Sequence, residues 1–327
     1  MHFLASIVSL ICLVNVSGLN IGDMAPALED TLWIKGSAPV FEKQFTVVEV
    51  WATWCSVCRF EASHLTRLQQ FYGESVKIVG ISDEPSSDIA RYVRGMGDEI
   101  GYSIGKVSKE LRSLYMKGVD GIPQAFLVNQ EGFMIWSGHP MDLDEILDKA
   151  LAGTLDIKKL KRISGLEKKL KETLNTGNLD VIGQVADALL MEDPVHERAL
   201  DVRGVVAKRQ KDTAAFRAMY DRIDVAGLRG EKANRLAWKL VTDKNLPFRH
   251  LKAALELAAH SVKMEPENGT FAVTYARVQY CMGNIREAIK WQKTAIAFDP
   301  FEPAFDATLQ YYLEIEDLRR SEKASHL

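Results

Sequence analysis

Cys55 and Cys58, in the run "VVEVWATWCSVCR" at residues 47–59, are the side chains whose type and spacing most directly imply a reaction. Only a thiolate attacks a disulfide, so a redox cysteine needs partial exposure and a stabilised negative charge. A helix starting just after Cys55 supplies that stabilisation, because unpaired backbone N–H groups and the helix dipole favour an anion at its first turn. Cys58, one turn further in, keeps its sulfur on nearly the same side and is placed to displace whatever Cys55 captures. Trp54 is expected to cover the pair and limit water access. Glu49 is the odd residue of the run. Its neighbours Val47, Val48, Val50 and Trp51 read as a fully buried strand, where an unpaired carboxylate costs several kcal/mol in its charged form.

The elements that must hold these residues follow from short apolar runs alternating with helical stretches. Strands are expected at 45–52, 76–82, 124–128 and 133–137, and helices at 56–72, 86–95, 108–116 and 142–152. Alternation of this kind implies a central sheet with helices on both faces. Glycine and proline fall where turns are needed, at "GISDEPSS", "GVDGIP" and "NQEGF".

The motif "WATWCSVC" followed by "GVDGIPQAFLVNQEGFMIWSGHP" resembles the thioredoxin superfamily, specifically its extracytoplasmic TlpA/ResA-like branch of disulfide reductases, and the opening "IGDMAPALE" is also similar. The resemblance covers residues 20–152, under half of the chain. It implies an α/β thioredoxin-like fold over 19–155 and thiol:disulfide oxidoreductase activity. It also implies a cis peptide bond between Ile122 and Pro123, facing the sulfurs, so that the backbone beside it pairs with an extended substrate chain. An ordinary trans proline opening a strand is the alternative. Glu49 matches the buried acid of thioredoxins, which many TlpA/ResA-like members replace by a neutral residue. Desolvation would raise its pKa and let it exchange the proton of Cys58; otherwise it is a strand-edge Glu reaching solvent. Glu61 matches a second acid typical of the branch, which either tunes the thiols or is a first-turn helix charge. The chain departs from its relatives at Ser56-Val57, where proline often precedes the second cysteine, and at Ser63, where thioredoxins often carry a helix-kinking proline. These departures bear on the direction and strength of the redox couple, not on its existence. The stretch between the 76–82 strand and Pro123 is longer than a minimal thioredoxin needs and is expected to add a helix and a strand that shape partner choice.

At 327 residues the chain suits two domains. Its formal charge of −3 is divided unevenly: −7 over residues 19–155 and +4 over 156–327. An acidic first half argues against nucleic acid, which needs a basic face. Residues 1–18 are apolar from Phe3 to Val16, lack acids and end in Ser17 and Gly18, which reads as a secretory signal peptide. With no Lys or Arg before the apolar run, an uncleaved N-terminal membrane anchor is the alternative. Cys12 follows Ile11 rather than a small residue, against a lipid attachment site. Signal removal leaves Cys55, Cys58 and Cys281. Three cysteines make no disulfide framework, and one C-x-x-C without a second pair is a poor zinc site. No metal and no other cofactor is expected, and Cys281 is expected to be simply buried.

Residues 156–327 are helical throughout and carry a 34-residue echo. Ala254, Glu265 and Pro266 align with Ala288, Asp299 and Pro300. The segments "TGNLD" and "MGNIR" each precede a proline at the same spacing, Pro194 and Pro300. This resembles degenerate tetratricopeptide repeats, in units 163–196, 197–230, 231–266 and 267–300 with a closing helix at 301–320. Such an all-α repeat domain leaves a concave face for a protein or peptide. Trp238, Tyr275, Tyr280, Trp291, Tyr311 and Tyr312 could line that face, but packing between helices is the expected fate of most, and none is assigned to binding.

Together these readings describe an exported, periplasm-like thiol:disulfide oxidoreductase acting on protein disulfides. Cys55 attacks, Cys58 resolves, Glu49 accepts the proton, Glu61 modulates, and Trp54, Ile122 and Pro123 meet the substrate; the resemblance adds a membrane thiol donor. The competing reading is a protein-interaction scaffold whose thioredoxin-like module turns over little. A peroxiredoxin reading is weaker, because Ala52 stands where its Thr/Ser-x-x-Cys context is needed.

Overall fold

The computed structural model describes residues 19–244, 249–300 and 302–325. The signal or anchor reading of residues 1–18 lies outside the described residues, as does part of the long turn expected in the third repeat. Packing divides the chain into two units, the first ending at Ser164 and the second beginning at Gly165.

The first unit is built on one six-stranded sheet. Its strands are β1 (Leu32–Lys35), β2 (Phe45–Val50), β3 (Val76–Ser82), β4 (Ser103–Lys106), β5 (Gln124–Val128) and β6 (Met134–Gly138), in spatial order β1-β4-β3-β2-β5-β6. β2, β3 and β4 run parallel; β1, on β4, is antiparallel, as are the β2–β5 and β5–β6 pairs. Parallel neighbours need crossover helices. These are α1 (Ser56–Tyr72) and α2 (Ser86–Met96); α3 (Lys109–Met116) and α4 (Leu143–Leu151) complete the layers.

Because strand side chains alternate, β2 feeds two cores. Val47 and Trp51 join residues of α1, α2 and α4 on one face, whereas Val48 and Val50 join Tyr115 of α3 and the segment holding Ala25 and Leu28 on the other. Glu49, in phase with Val47 and Trp51, therefore belongs to the α1 face. The expected strands and helices are present, with ends shifted by a residue or two. The long stretch before Pro123 holds α2, β4 and α3. The sequence reading missed β1 and did not place β4: each has four residues, too few for alternation to stand out.

In the second unit the helices after α5 (Ile157–Leu174) are α6 (Leu179–Glu192), α7 (Glu197–Gln210), α8 (Thr213–Asp221), α9 (Gly230–Thr242), α10 (Leu251–Met264), α11 (Gly269–Cys281), α12 (Ile285–Phe298) and α13 (Pro303–Ser325). Neighbours in sequence pack together, notably α9 on α10 and α11 on α12, and α9 also meets α11, the next helix but one. Small residues permit the close approach: Ala237 of α9, Ala254 of α10, Ala276 of α11 and Ala288 of α12 are fully buried. Ala276→Leu is expected to cost about 1–3 kcal/mol through overpacking, read as a lower thermal midpoint of the helical signal. The tyrosines and Trp291 do serve packing: Tyr275 meets Trp291 with centroids 4.8 Å apart, and Tyr280 stacks on Tyr312 at 4.9 Å. Trp238 and Tyr311 remain partly exposed. Cys281, expected to be buried, is only partly so, because it closes α11 at the end of its last turn.

Candidate active site

The site forms where β2 ends and α1 begins. Trp51 leaves the strand, its amide donating to the Ile81 carbonyl (3.2 Å), and the chain turns through 52–55 with the Cys55 amide donating to the Ala52 carbonyl (3.1 Å). Cys55 is the N-cap of α1: its Sγ accepts the Cys58 amide at 3.1 Å. This is the orphan N–H environment that favours a thiolate. Cys55 and Cys58 are joined in a disulfide, with Cα atoms 5.3 Å apart, and both are largely buried.

The turn carrying the cysteines is held from β3. Thr53 donates its amide to Glu84 Oε2 and its hydroxyl to Glu84 Oε1, each at 2.7 Å, and the Ser82 hydroxyl also donates to Oε2 (3.0 Å). Glu84 lies in "ISDEPSS", which reads in sequence only as a turn. Glu84→Ala strips the Thr53 amide of its acceptor and is expected to cost on the order of 1–3 kcal/mol, measured as a shift in the urea midpoint at unchanged slope.

On the sheet face that α1 covers, Glu49 is fully buried on an interior strand, opposite Gly80 of β3 and Ala125 of β5. It is not a strand-edge group. Burial pushes its pKa from 4.5 up to about 8; the hydrogen bond from Tyr102 opposes this, and the charge of Glu61 adds to it. The Tyr102 hydroxyl donates to Oε2 at 3.0 Å, while Oε1 has no hydrogen-bond partner. Burial, and then the same carboxylate, raise the Tyr102 pKa well above its usual value, so the phenol stays a donor. Gly80 is glycine because Trp51 crosses it: an added Cβ would stand 2.9 Å from the indole nitrogen.

Glu61 is 2 % exposed on α1, which excludes a solvated first-turn charge. Its Oε1 lies 3.1 Å from Nε2 of His139, in the turn after β6. One turn along α1, His64 Nε2 meets Asp144 Oδ2 at 3.0 Å. Tyr102, Glu84 and His139 were missed by sequence reasoning; each comes from a distant segment, and no spacing links it to the cysteines.

Pro123 is buried, and its bond to Ile122 is cis. Register pairs Gln124 with Val50, which places Pro123 beside the segment leading to Cys55. Ile122 packs into both cores. Trp54, by contrast, is 73 % exposed, and with exposed Val57 and Phe60 it forms an apolar rim rather than a closed cover. Among the described residues no cluster of three or more His, Cys, Asp or Glu could hold a metal, and no helix is long and apolar enough to cross a membrane.

This architecture is a thioredoxin-fold domain, and residues 21–137 match the model of the AhpC/TSA family. The chain is similar to the thiol:disulfide interchange protein DsbE of Allochromatium vinosum, 28% identical over 92 residues, covering 28% of this chain and 49% of that one. It is also similar to the thiol:disulfide interchange protein HelX of Rhodobacter capsulatus, 28% identical over 125 residues, covering 36% and 68%. The chain thus spans about half the length of the DsbE relatives it matches. Among solved structures, StoA from Bacillus subtilis is 23% identical, covering 32% of this chain and 81% of that one with a TM-score of 0.27.

Proposed function

We propose that the protein is an exported thiol:disulfide oxidoreductase of protein disulfides, with a tetratricopeptide-like domain that binds a protein or peptide partner. The observation that carries it is a Cys55–Cys58 pair at the N-terminus of α1, with Cys55 as its cap, on the same face of the sheet as the buried acid Glu49. In the reductive direction the Cys55 thiolate attacks a substrate disulfide R–S–S–R′. That bond breaks, R′–S⁻ leaves and takes a proton from water, and Cys55 is held in a mixed disulfide. Cys58 then gives its proton to ionised Glu49, through the Oε1 left free by Tyr102. The Cys58 thiolate attacks Cys55 Sγ, R–S⁻ leaves, and the Cys55–Cys58 disulfide results. Two electrons have passed to the substrate, and a dithiol donor must return them; the family resemblance points to one in the membrane. Trp54 and Ile122 would meet the apolar flanks of the substrate segment, and Pro123 would seat its backbone. Apolar burial of the substrate at this rim fits a protein disulfide better than a small polar one.

Reduction of insulin-type disulfides by the full chain with a dithiol donor tests the reading. Multiple turnovers above the donor's own rate are expected. Absence of turnover with both thiols demonstrably reduced would leave the scaffold reading in its place.

A further inference from the structure

Glu49 and Glu61 are two buried carboxyl groups whose charges repel; Glu61 faces a ring nitrogen of His139, whereas Glu49 is met by the neutral phenol of Tyr102. Like charges in a shared low-dielectric site do not both ionise readily, so whichever acid is better stabilised as an anion forces the proton onto the other. The Met141 amide donates to His139 Nδ1 (3.4 Å), which leaves the ring proton on Nε2, the atom 3.1 Å from Glu61 Oε1. His139 is 45 % exposed, so it can exchange protons with water while its partner, at 2 %, cannot. Among the described groups, Glu49 from β2 and Tyr102 from the segment before β4 feel the charge of Glu61, Tyr92 of α2 interacts with Glu49 and Tyr102 in turn, and Cys58 stands one turn before Glu61 on α1. His64 is engaged separately by Asp144 of α4.

We propose that His139 is a positioning residue of the redox centre: its Nε2–H holds Glu61 as the carboxylate, so that the proton exchanged with Cys58 resides on Glu49. Which of the two acids serves the resolving thiol is thereby set from the turn that follows the sheet's last strand. The idea rests on the proposed redox function for its purpose, but its test does not need turnover.

The test is carbon-13 NMR of the full chain with labelled glutamate carboxyls, titrated from pH 4 to 10 in the wild type, His139→Ala and His139→Gln, with Glu49→Gln and Glu61→Gln assigning the two buried signals. In His139→Ala the Glu61 midpoint is expected to rise by about one pH unit and the Glu49 midpoint to fall by a comparable amount. His139→Gln, whose side-chain amide can still donate, should restore most of both. Unchanged midpoints in the alanine variant would overturn the proposal, and so would equal shifts in both variants, since donation would then not be the cause. Failure of the cysteines to cycle would instead remove the proposed function and leave these titrations readable.

Discussion

Glu49→Gln should leave stability unchanged near pH 4 and raise it by on the order of 5 kcal/mol at pH 9, the span of a pKa moved from 4.5 to about 8 at roughly 1.4 kcal/mol per unit. The sign follows from proton counting. Below the unfolded value both states hold the proton and nothing distinguishes them. As pH rises from 4.5 towards 8 the unfolded chain has lost its proton while the folded chain keeps it, so folding weakens with each unit. Above about 8 the penalty of a buried carboxylate is complete. Glutamine is nearly isosteric and still accepts from Tyr102, so the comparison isolates the charge. Urea unfolding of wild type and variant across this range, followed at the tryptophans, reads it directly. In the same variant the rate of mixed-disulfide resolution should lose its inflection near pH 8, because Cys58 has no internal acceptor.

Cys55→Ala is expected to lower protein-disulfide reduction to the donor's background, while Cys58→Ala should still react once per molecule and then stall. The asymmetry follows from the helix end. Cys55 caps α1 and accepts the Cys58 amide, so its thiolate is the stabilised one. Cys58 sits inside the first turn of α1, where its role is to expel the captured sulfur. Mass spectrometry of the Cys58→Ala reaction should show the substrate covalently held on Cys55. Equal residual turnover in both variants would remove the division of labour.

Much of this site was legible in the sequence because its parts lie in one strand–turn–helix. A charged residue in a run of β-branched apolar residues marked Glu49, and the three-residue spacing marked the cysteine pair. The proline after "GVDGI" entered through resemblance rather than spacing. What stayed hidden is assembled by topology. Tyr102 reaches Glu49 because β4 lies two strands from β2, Glu84 reaches Thr53 because β3 is its parallel neighbour, and His139 reaches Glu61 because α1 packs near the turn after β6. Trp54 looked like a lid from its position beside Cys55, yet nothing in the sequence says which way a side chain at a turn points. The helical half was readable for a different reason: Ala254 and Ala288 stand 34 residues apart, and both, like Ala237 and Ala276, are small because they are fully buried where helices pack. β1 and β4 were not readable, since each has four residues that take their conformation from pairing, β1 with β4 and β4 with β3 as well.

The most direct measurement is equilibration of the reduced and oxidised protein in dithiol buffers of graded potential, counting the free thiols of Cys55 and Cys58 at each. One reversible two-electron transition, in which both thiols appear together and Cys281 plays no part, is the expected result. A pair that stays oxidised until the domain unfolds, or that titrates as two unlinked thiols, would contradict a redox role for the end of α1.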